Sequence, residues 1–102
     1  MDTECLEQNT PKAVALLKAI ANESRMKILC VLNVAGEKNV GQLEQIVGLS
    51  QSALSQHLAR MRKEGLVTTR RDAQTIYYSC HNHEVRAILD CLCAIYRPQT
   101  QS

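Results

Sequence analysis

Apolar residues recur at the three- and four-residue spacing of α-helices along most of the chain. Pro11 is expected at the first position of a helix, where proline is common. Asn22 and Ser50 are suitable N-cap residues. Gly36 and Gly65 are suitable stop signals. Together these signals predict helices over about 10–21, 23–35, 41–47 and 51–64, and a last helix that begins near His81 or Asn82 and ends at about Tyr96.

Two further segments are rich in β-forming residues. They are Leu66–Arg70 and Thr75–Ser79, separated by a polar turn at Arg71–Gln74, and a short extra strand is predicted near 38–40. The predicted fold is mainly α with a small β-hairpin, in the order α-α-α-α-β-β-α. This is the order of a winged helix-turn-helix, in which one helix enters the DNA major groove and the hairpin lies on the flanking backbone.

The length of 102 residues fits one domain, predicted over 10–97, with a flexible arm at 1–9 and a loose tail at 98–102. Apolar residues make up 45% of the chain, and Phe and Trp are absent, so an aliphatic core is expected. A chain this short buries a modest fraction of its surface, and dimerisation would add to that burial.

Positive charge is concentrated in one segment. Residues 1–49 contain five Lys or Arg and six Asp or Glu, whereas residues 50–75 contain five and two. The excess of three positive charges therefore coincides with the predicted DNA-binding helix and hairpin, where phosphates would lie.

The composition also indicates where the protein works. No apolar run is long enough to cross a membrane, and the first ten residues are too acidic and polar for a signal peptide. A cytoplasmic protein is expected, with its five cysteines reduced at rest. Neither a cofactor nor a resident metal is expected, and no catalytic motif or glycine-rich phosphate loop is present, which argues against an enzyme.

The fourth predicted helix has a face of short polar side chains opposite its apolar stripe. Glutamine can pair with adenine, serine can bond several base edges, and cations at the margin suit phosphates. His57 lies between the two faces and suits either a structural hydrogen bond or a base contact. The other candidate DNA contacts on this helix are Gln51, Ser52, Ser55, Gln56, Arg60 and Lys63.

The hairpin supplies Arg70, Arg71 and Gln74 as further candidates. A single arginine in such a place is typical of a solvated turn. Two adjacent arginines after a recognition helix favour contact with a narrow minor groove or with flanking phosphates.

The runs LSQSALSQHLARMRKEGLV, RDAQTIYYS and LLKAIANESRMKILCVL resemble the ArsR/SmtB family of bacterial winged-helix repressors. The resemblance covers about residues 13–96. It implies a homodimer formed through the first and last helices, binding to an imperfect palindromic operator in double-stranded DNA, and release of DNA when an inducer acts.

Within that family, ILC in the second helix resembles the thiol-sensing subgroup of HlyU, BigR and SqrR type. This implies sensing of persulfides or oxidants by Cys30 and a cysteine on the last helix. In the subgroup the second cysteine follows a tyrosine near the end of that helix, but here Arg97 follows Tyr96. Cys93 lies one helical turn before Arg97. Cys91 points to nearly the opposite side of the helix from Cys93.

Metal sensing is the alternative within the same family. One branch uses Cys-x-Cys at the start of the third helix, which this chain lacks. Another uses ligands at both ends of the last helix; His81 and His83 could supply the first pair, but Ala94 and Arg97 occupy the second. A thiophilic ion such as arsenite, held by cysteines including Cys30 and Cys93, remains the alternative inducer.

Overall fold

In the computed structural model, which describes residues 3–98, helices surround a small antiparallel sheet. The elements follow the order of a winged helix-turn-helix, as predicted, with an additional short strand after the second helix. Their bounds are α1 Thr3–Ile20, α2 Glu23–Ala35, β1 Lys38–Asn39, α3 Val40–Val47, α4 Gln51–Lys63, β2 Thr68–Asp72, β3 Thr75–Ser79 and α5 His83–Tyr96.

Side-chain caps determine where α2, α4 and α5 begin. Asn22 Oδ1 accepts a hydrogen bond from Arg25 N at 3.0 Å, and Ser50 Oγ accepts one from Ala53 N at 3.2 Å. Asn82 caps α5 in the same way. Each cap satisfies a backbone N–H that has no partner within the helix, so the predicted starts of α2, α4 and α5 are confirmed.

The prediction of a flexible arm at 1–9, with the first helix starting at Pro11, is wrong for the described part of that segment. Residues 3–9 form the first half of α1, and Pro11 lies inside the helix. Proline removes one helical hydrogen bond. Neighbouring side chains bond other carbonyls of this turn: Asn9 Nδ2 donates to Cys5 O at 2.8 Å, and the Thr10 hydroxyl donates to Leu6 O. Of the predicted tail, 99–102 lies outside the described residues.

The β2–β3 hairpin, called the wing below, spans residues 68–79. The strand order is β1-β3-β2, so β3 is central and pairs antiparallel with both neighbours. Asp72 pairs with Thr75, which leaves a two-residue turn in which Ala73 has φ 58°. The turn was predicted over 71–74 and is shorter, because a tight hairpin turn with positive φ matches the twist of the strands. Arg71 therefore belongs to β2.

The core is aliphatic, as expected, and it joins helices from both halves of the chain. Its fully or nearly fully buried side chains come from α1 to α5 and from the segment that enters the wing. They are Ile20, Ile28, Leu29, Leu32, Leu43, Leu54, Leu58, Met61, Leu66, Val67, Val85 and Leu89.

Several large apolar side chains remain exposed on the outer helices. On α1 these are Leu6, Val14 and Leu17, and on α5 they are Ile95 and Tyr96. The chain measures 48 × 41 × 21 Å, and its radius of gyration of 15.4 Å exceeds the value of about 13 Å usual for this length. The single chain is thus flat and leaves apolar surface on its first and last helices uncovered.

Arg25 joins the first two helices. Its side chain is buried, with 9% of the residue exposed, and it donates from Nε to Ala19 O at 2.8 Å and from Nη2 to Lys18 O at 3.2 Å. These are carbonyls in the last turn of α1, which lack partners within the helix. One guanidinium therefore caps α1 and holds it at the start of α2.

We expect Arg25→Met to destabilise the fold by about 1–3 kcal/mol, because it leaves the carbonyls without their charged donor while preserving the aliphatic stem. Urea unfolding should show a lower midpoint with an unchanged slope. Lys27→Met, at an exposed position of the same helix, is the control and should change stability by no more than about 0.5 kcal/mol. Equal midpoints for the two variants would contradict this capping role.

Candidate nucleic-acid interface

The orientation of α4 is determined by three buried side chains. Leu54, Leu58 and Met61 have no exposed surface, and they pack into the core with Leu43 of α3. Gly48 ends α3 in a left-handed conformation (φ 80°), and its N–H donates to Glu44 O at 3.0 Å. This glycine turn and the Ser50 cap fix the angle at which α4 leaves α3.

The face of α4 opposite the core is polar and open. Gln51, Ser52, Ser55 and Gln56 are all exposed, as the sequence predicts, and Ala59 continues the same surface. His57 is half-buried between this face and the core. A face of short polar groups allows close approach of the helix backbone to base edges in a major groove.

Cations lie at the C-terminal end of this face. Arg60 is engaged within the helix, since its Nε donates to Glu64 Oε1 at 3.1 Å. Lys63 is exposed, and so is Arg62, which the sequence analysis did not include. Arg62 follows Ser55 by seven residues, two turns along the same face, and this spacing could have identified it.

The two wing arginines lie on opposite faces of β2, because successive side chains of a strand alternate. Arg71 pairs in register with Ile76 and is exposed. Arg70 is held on the protein: its Nη2 donates to Glu37 Oε1 at 2.7 Å, and its Cζ lies 4.7 Å above the Tyr77 ring centroid. The structure thus separates two residues that the sequence analysis grouped together.

Gln74 lies at the tip of the wing, over the beginning of α3. It lines a cleft of about 310 Å³ with residues of β1, α3 and β3, among them Asn39, Gly41 and Tyr78. The wing tip is therefore adjacent to the start of α3, the first helix of the helix-turn-helix.

The candidate thiol site lies on α2 and α5, which pack against each other. Partial burial raises the pKa of the Cys30 thiol above its usual range, and the neighbouring Cys93 raises it further. Of the two cysteines on the last helix, Cys93 is the one whose charge acts on the Cys30 thiol. Both Cys30 and Cys93 are exposed on the single chain.

Cys30 also lines an apolar cavity between α2 and α3. The cavity has a volume of about 470 Å³, and Met26, Val31, Ile46 and Val47 form most of its wall. A group attached to the sulfur would therefore lie beside the contact between α2 and the helix-turn-helix.

The other sulfur and imidazole groups do not form a metal site. Cys5, Cys91 and both His81 and His83 are exposed, whereas Cys80 is half-buried against the core. Within residues 3–98, no three His, Cys, Asp or Glu side chains converge on a point where they could hold one ion. The same residues include no helix long and apolar enough to cross a membrane.

This arrangement defines a winged helix-turn-helix DNA-binding protein. A family model described as bacterial regulatory protein, arsR family, matches residues 22–69. The chain is 50% identical over 96 residues to the transcriptional activator HlyU of Vibrio cholerae, covering 94% of this chain and 88% of HlyU. It belongs to the ArsR/SmtB family, in the HlyU/BigR subgroup, and it is a transcriptional regulator rather than an enzyme.

Solved structures of the subgroup have the same fold. Reduced HlyU from Vibrio cholerae matches with a TM-score of 0.82 at 50% identity, over 91% of this chain and 97% of that one. The transcriptional repressor BigR from Xylella fastidiosa matches with a TM-score of 0.90 at 34% identity, over 97% and 100% of the two chains. The predicted family and the predicted winged helix-turn-helix are thereby confirmed.

For the recognition face we expect Gln56→Ala to weaken binding to the operator by about 1–3 kcal/mol, because a paired hydrogen bond to a base edge is lost. Binding to random duplex DNA should remain nearly unchanged, as measured by fluorescence anisotropy with both duplexes. Gln8→Ala, at an exposed position of α1, is the control. An equal loss on operator and random DNA would exclude a base contact.

For the wing we expect Arg71→Ala to weaken binding to both kinds of DNA and to reduce the salt dependence by about one unit, because one phosphate contact disappears. The slope is measured by plotting the logarithm of the DNA association constant against the logarithm of the salt concentration. Lys18→Ala removes an exposed charge from α1 and should leave the slope unchanged. An unaltered slope for Arg71→Ala would count against a phosphate contact.

Proposed function

We propose that this regulator is a homodimeric repressor that binds an imperfect palindromic operator and releases it when Cys30 and Cys93 are oxidised or persulfidated. The observation that carries this proposal is the packing of α2, which holds Cys30, against α5, which holds Cys93. Cys93 acts on the Cys30 thiol across this contact, and Cys30 also lines the cavity beside α3. Of the two relatives, BigR is a transcriptional repressor by name and HlyU a transcriptional activator, and the proposed role is that of BigR. The site of action is the cytoplasm, where thiols are kept reduced.

Exposed apolar side chains support the dimer. Leu6, Val14 and Leu17 on α1, with Ile95 and Tyr96 on α5, would otherwise remain in water. Covering them with the same faces of a second copy gives a two-fold symmetric interface, the commonest kind in soluble oligomers. Such a dimer presents two α4 helices, and an operator with half-sites about one DNA turn (~34 Å) apart would accept both.

Gln51, Ser52, Ser55 and Gln56 are the proposed base contacts, with His57 at their edge. Lys63, Arg62 and Arg71 would approach phosphates, and Gln74 would lie at the wing tip over the flanking backbone. Arg60 would have to leave Glu64 to reach a phosphate, and an exposed pair of this kind is worth at most about 1 kcal/mol. Arg60 could therefore bind a phosphate at a small cost in free energy.

In the proposed switch, the two thiols react in turn with an inorganic polysulfide. The Cys30 thiolate attacks a sulfane sulfur of an inorganic polysulfide, forming a persulfide and releasing a polysulfide one sulfur shorter. The Cys93 thiolate then attacks Cys30 Sγ and expels hydrosulfide. Two thiols are oxidised to a disulfide, and one sulfane sulfur is reduced to sulfide.

The new bond would pull α2 toward α5 and change the dimer, since α5 contributes to the proposed interface. It would also alter the cavity between α2 and α3, so the effect reaches the DNA-binding helices directly. A coupling free energy of about 1–3 kcal/mol lowers DNA affinity roughly 5- to 150-fold.

We expect Cys30→Ser to bind the operator like the wild type but to keep it after polysulfide treatment, since the nucleophile is absent. DNA binding is followed by anisotropy, the dimer by sedimentation, and the products by mass spectrometry. The wild type should react faster as the pH rises, because the raised pKa keeps Cys30 protonated at neutral pH. Full release of DNA by Cys30→Ser would refute the sensor.

Two further samples make this experiment specific. Cys80→Ser, at a half-buried cysteine outside the proposed pair, is the matched control and should respond like the wild type. Treatment of the wild type with arsenite tests the alternative inducer, an ion held by cysteine sulfur. Release by arsenite but not by polysulfide would favour the metalloid, and a monomer in sedimentation would overturn the dimer.

A further inference from the structure

We infer that Arg70 is a positioning residue: with Glu37 and Tyr77 it forms a clamp that sets the angle between the wing and the helix-turn-helix. The inference rests on the proposed DNA-binding function but concerns residues outside its base and phosphate contacts. It replaces the sequence-based prediction that Arg70 contacts DNA.

The clamp extends from β2 across β3 to Glu37, the residue before β1. Tyr77 of the central strand pairs in register with Arg70 on one side and with Asn39 on the other. Arg70 extends over the Tyr77 ring, at 4.7 Å from its centroid, and reaches the carboxylate of Glu37 beyond it. Two parallel hydrogen bonds close the contact, Nε to Oε2 at 3.0 Å and Nη2 to Oε1 at 2.7 Å.

The carboxylate is held in its charged form. The hydrogen bonds from Arg70 are the largest cause that lowers the pKa of Glu37, and Ser79 and His81 lower it further. A forked guanidinium on a carboxylate, stacked on an aromatic ring, has a defined direction that a lysine could not reproduce. The clamp therefore fixes geometry as well as charge.

The position of Glu37 connects the clamp to the segment between α2 and α3. Glu37 stands between the end of α2, whose last residue is Ala35, and the start of α3. Two residues later, Asn39 Oδ1 accepts from Gln42 N at 2.9 Å, and Gln42 Oε1 accepts from Asn39 N at 2.9 Å. This capping box begins α3. The wing is thus tied to the segment that joins the sensor helix α2 to the helix-turn-helix.

The competing role for Arg70 is a phosphate contact made by leaving Glu37. The two roles predict opposite results for Glu37→Gln. As a clamp partner, Glu37 supports DNA binding, so its loss weakens binding. As a competitor for Arg70, its loss would release a cation and strengthen binding to any duplex.

The test uses the full-length protein and a duplex that the wild type has selected from a random-sequence pool. We expect Glu37→Gln and Arg70→Gln each to weaken binding by about twofold to fivefold, the upper range for an exposed ion pair. The double variant should be no weaker than either single variant, and all salt slopes should equal the wild-type slope. Arg70→Lys should behave like Arg70→Gln, since the fork is lost.

A second measurement does not depend on DNA. Amide hydrogen exchange of β2 and β3 should be faster in Glu37→Gln and Arg70→Gln than in the wild type, with the midpoint of global unfolding unchanged. Arg71→Gln, on the opposite face of the same strand, should leave this exchange unchanged. Glu23→Gln breaks a comparable exposed pair with Lys27 (3.3 Å) and should change neither exchange nor DNA affinity.

Tighter binding by Glu37→Gln, a salt slope about one unit lower in Arg70→Gln, or unaltered exchange in both variants would overturn the clamp. If the wild type selects no sequence from the pool, the proposed DNA-binding function fails instead, and the exchange measurement still decides whether the clamp exists.

Discussion

The burial of Leu54, Leu58 and Met61 is the contact on which the DNA-binding surface depends. These side chains are four and three residues apart, so they form one stripe of α4, and each is fully buried. Turning the helix by one residue, about 100°, would expose this stripe and press Ser55, Ala59 and Arg62 into the core. Since truncating a buried leucine costs about 2–5 kcal/mol, the core fixes which face of α4 is open to solvent.

The short segment 36–39 links this surface to α2 and to the wing. Asn39 pairs with Tyr77 in the sheet and caps α3 at its N-terminus, while Glu37 binds Arg70 across β3. Helix α2, the helix-turn-helix and the wing therefore meet in four consecutive residues. Movement of α2 has a short covalent and hydrogen-bonded route to both DNA-binding parts.

Features determined by local chemistry could be predicted from the sequence. Asn22 and Ser50 cap helices because their side chains satisfy nearby N–H groups, and the stripe of α4 follows from spacing alone. Pro11 misled the prediction, because a proline is usual at a helix start and yet is tolerated on this exposed helix. The pairing of Arg70 with Glu37 joins residues 33 positions apart, which no local pattern reveals.

The aromatic residues have a practical consequence for optical spectroscopy. Tryptophan is absent, and the chain has only three tyrosines. Tyr77 and Tyr78 are consecutive in β3 and point to opposite faces of the sheet, whereas Tyr96 lies at the end of α5. Two of the three intrinsic fluorophores thus report on the hairpin: Tyr77 lies beneath the Arg70 guanidinium, and Tyr78 lies against the core. Tyrosine fluorescence can therefore follow the hairpin without an attached dye.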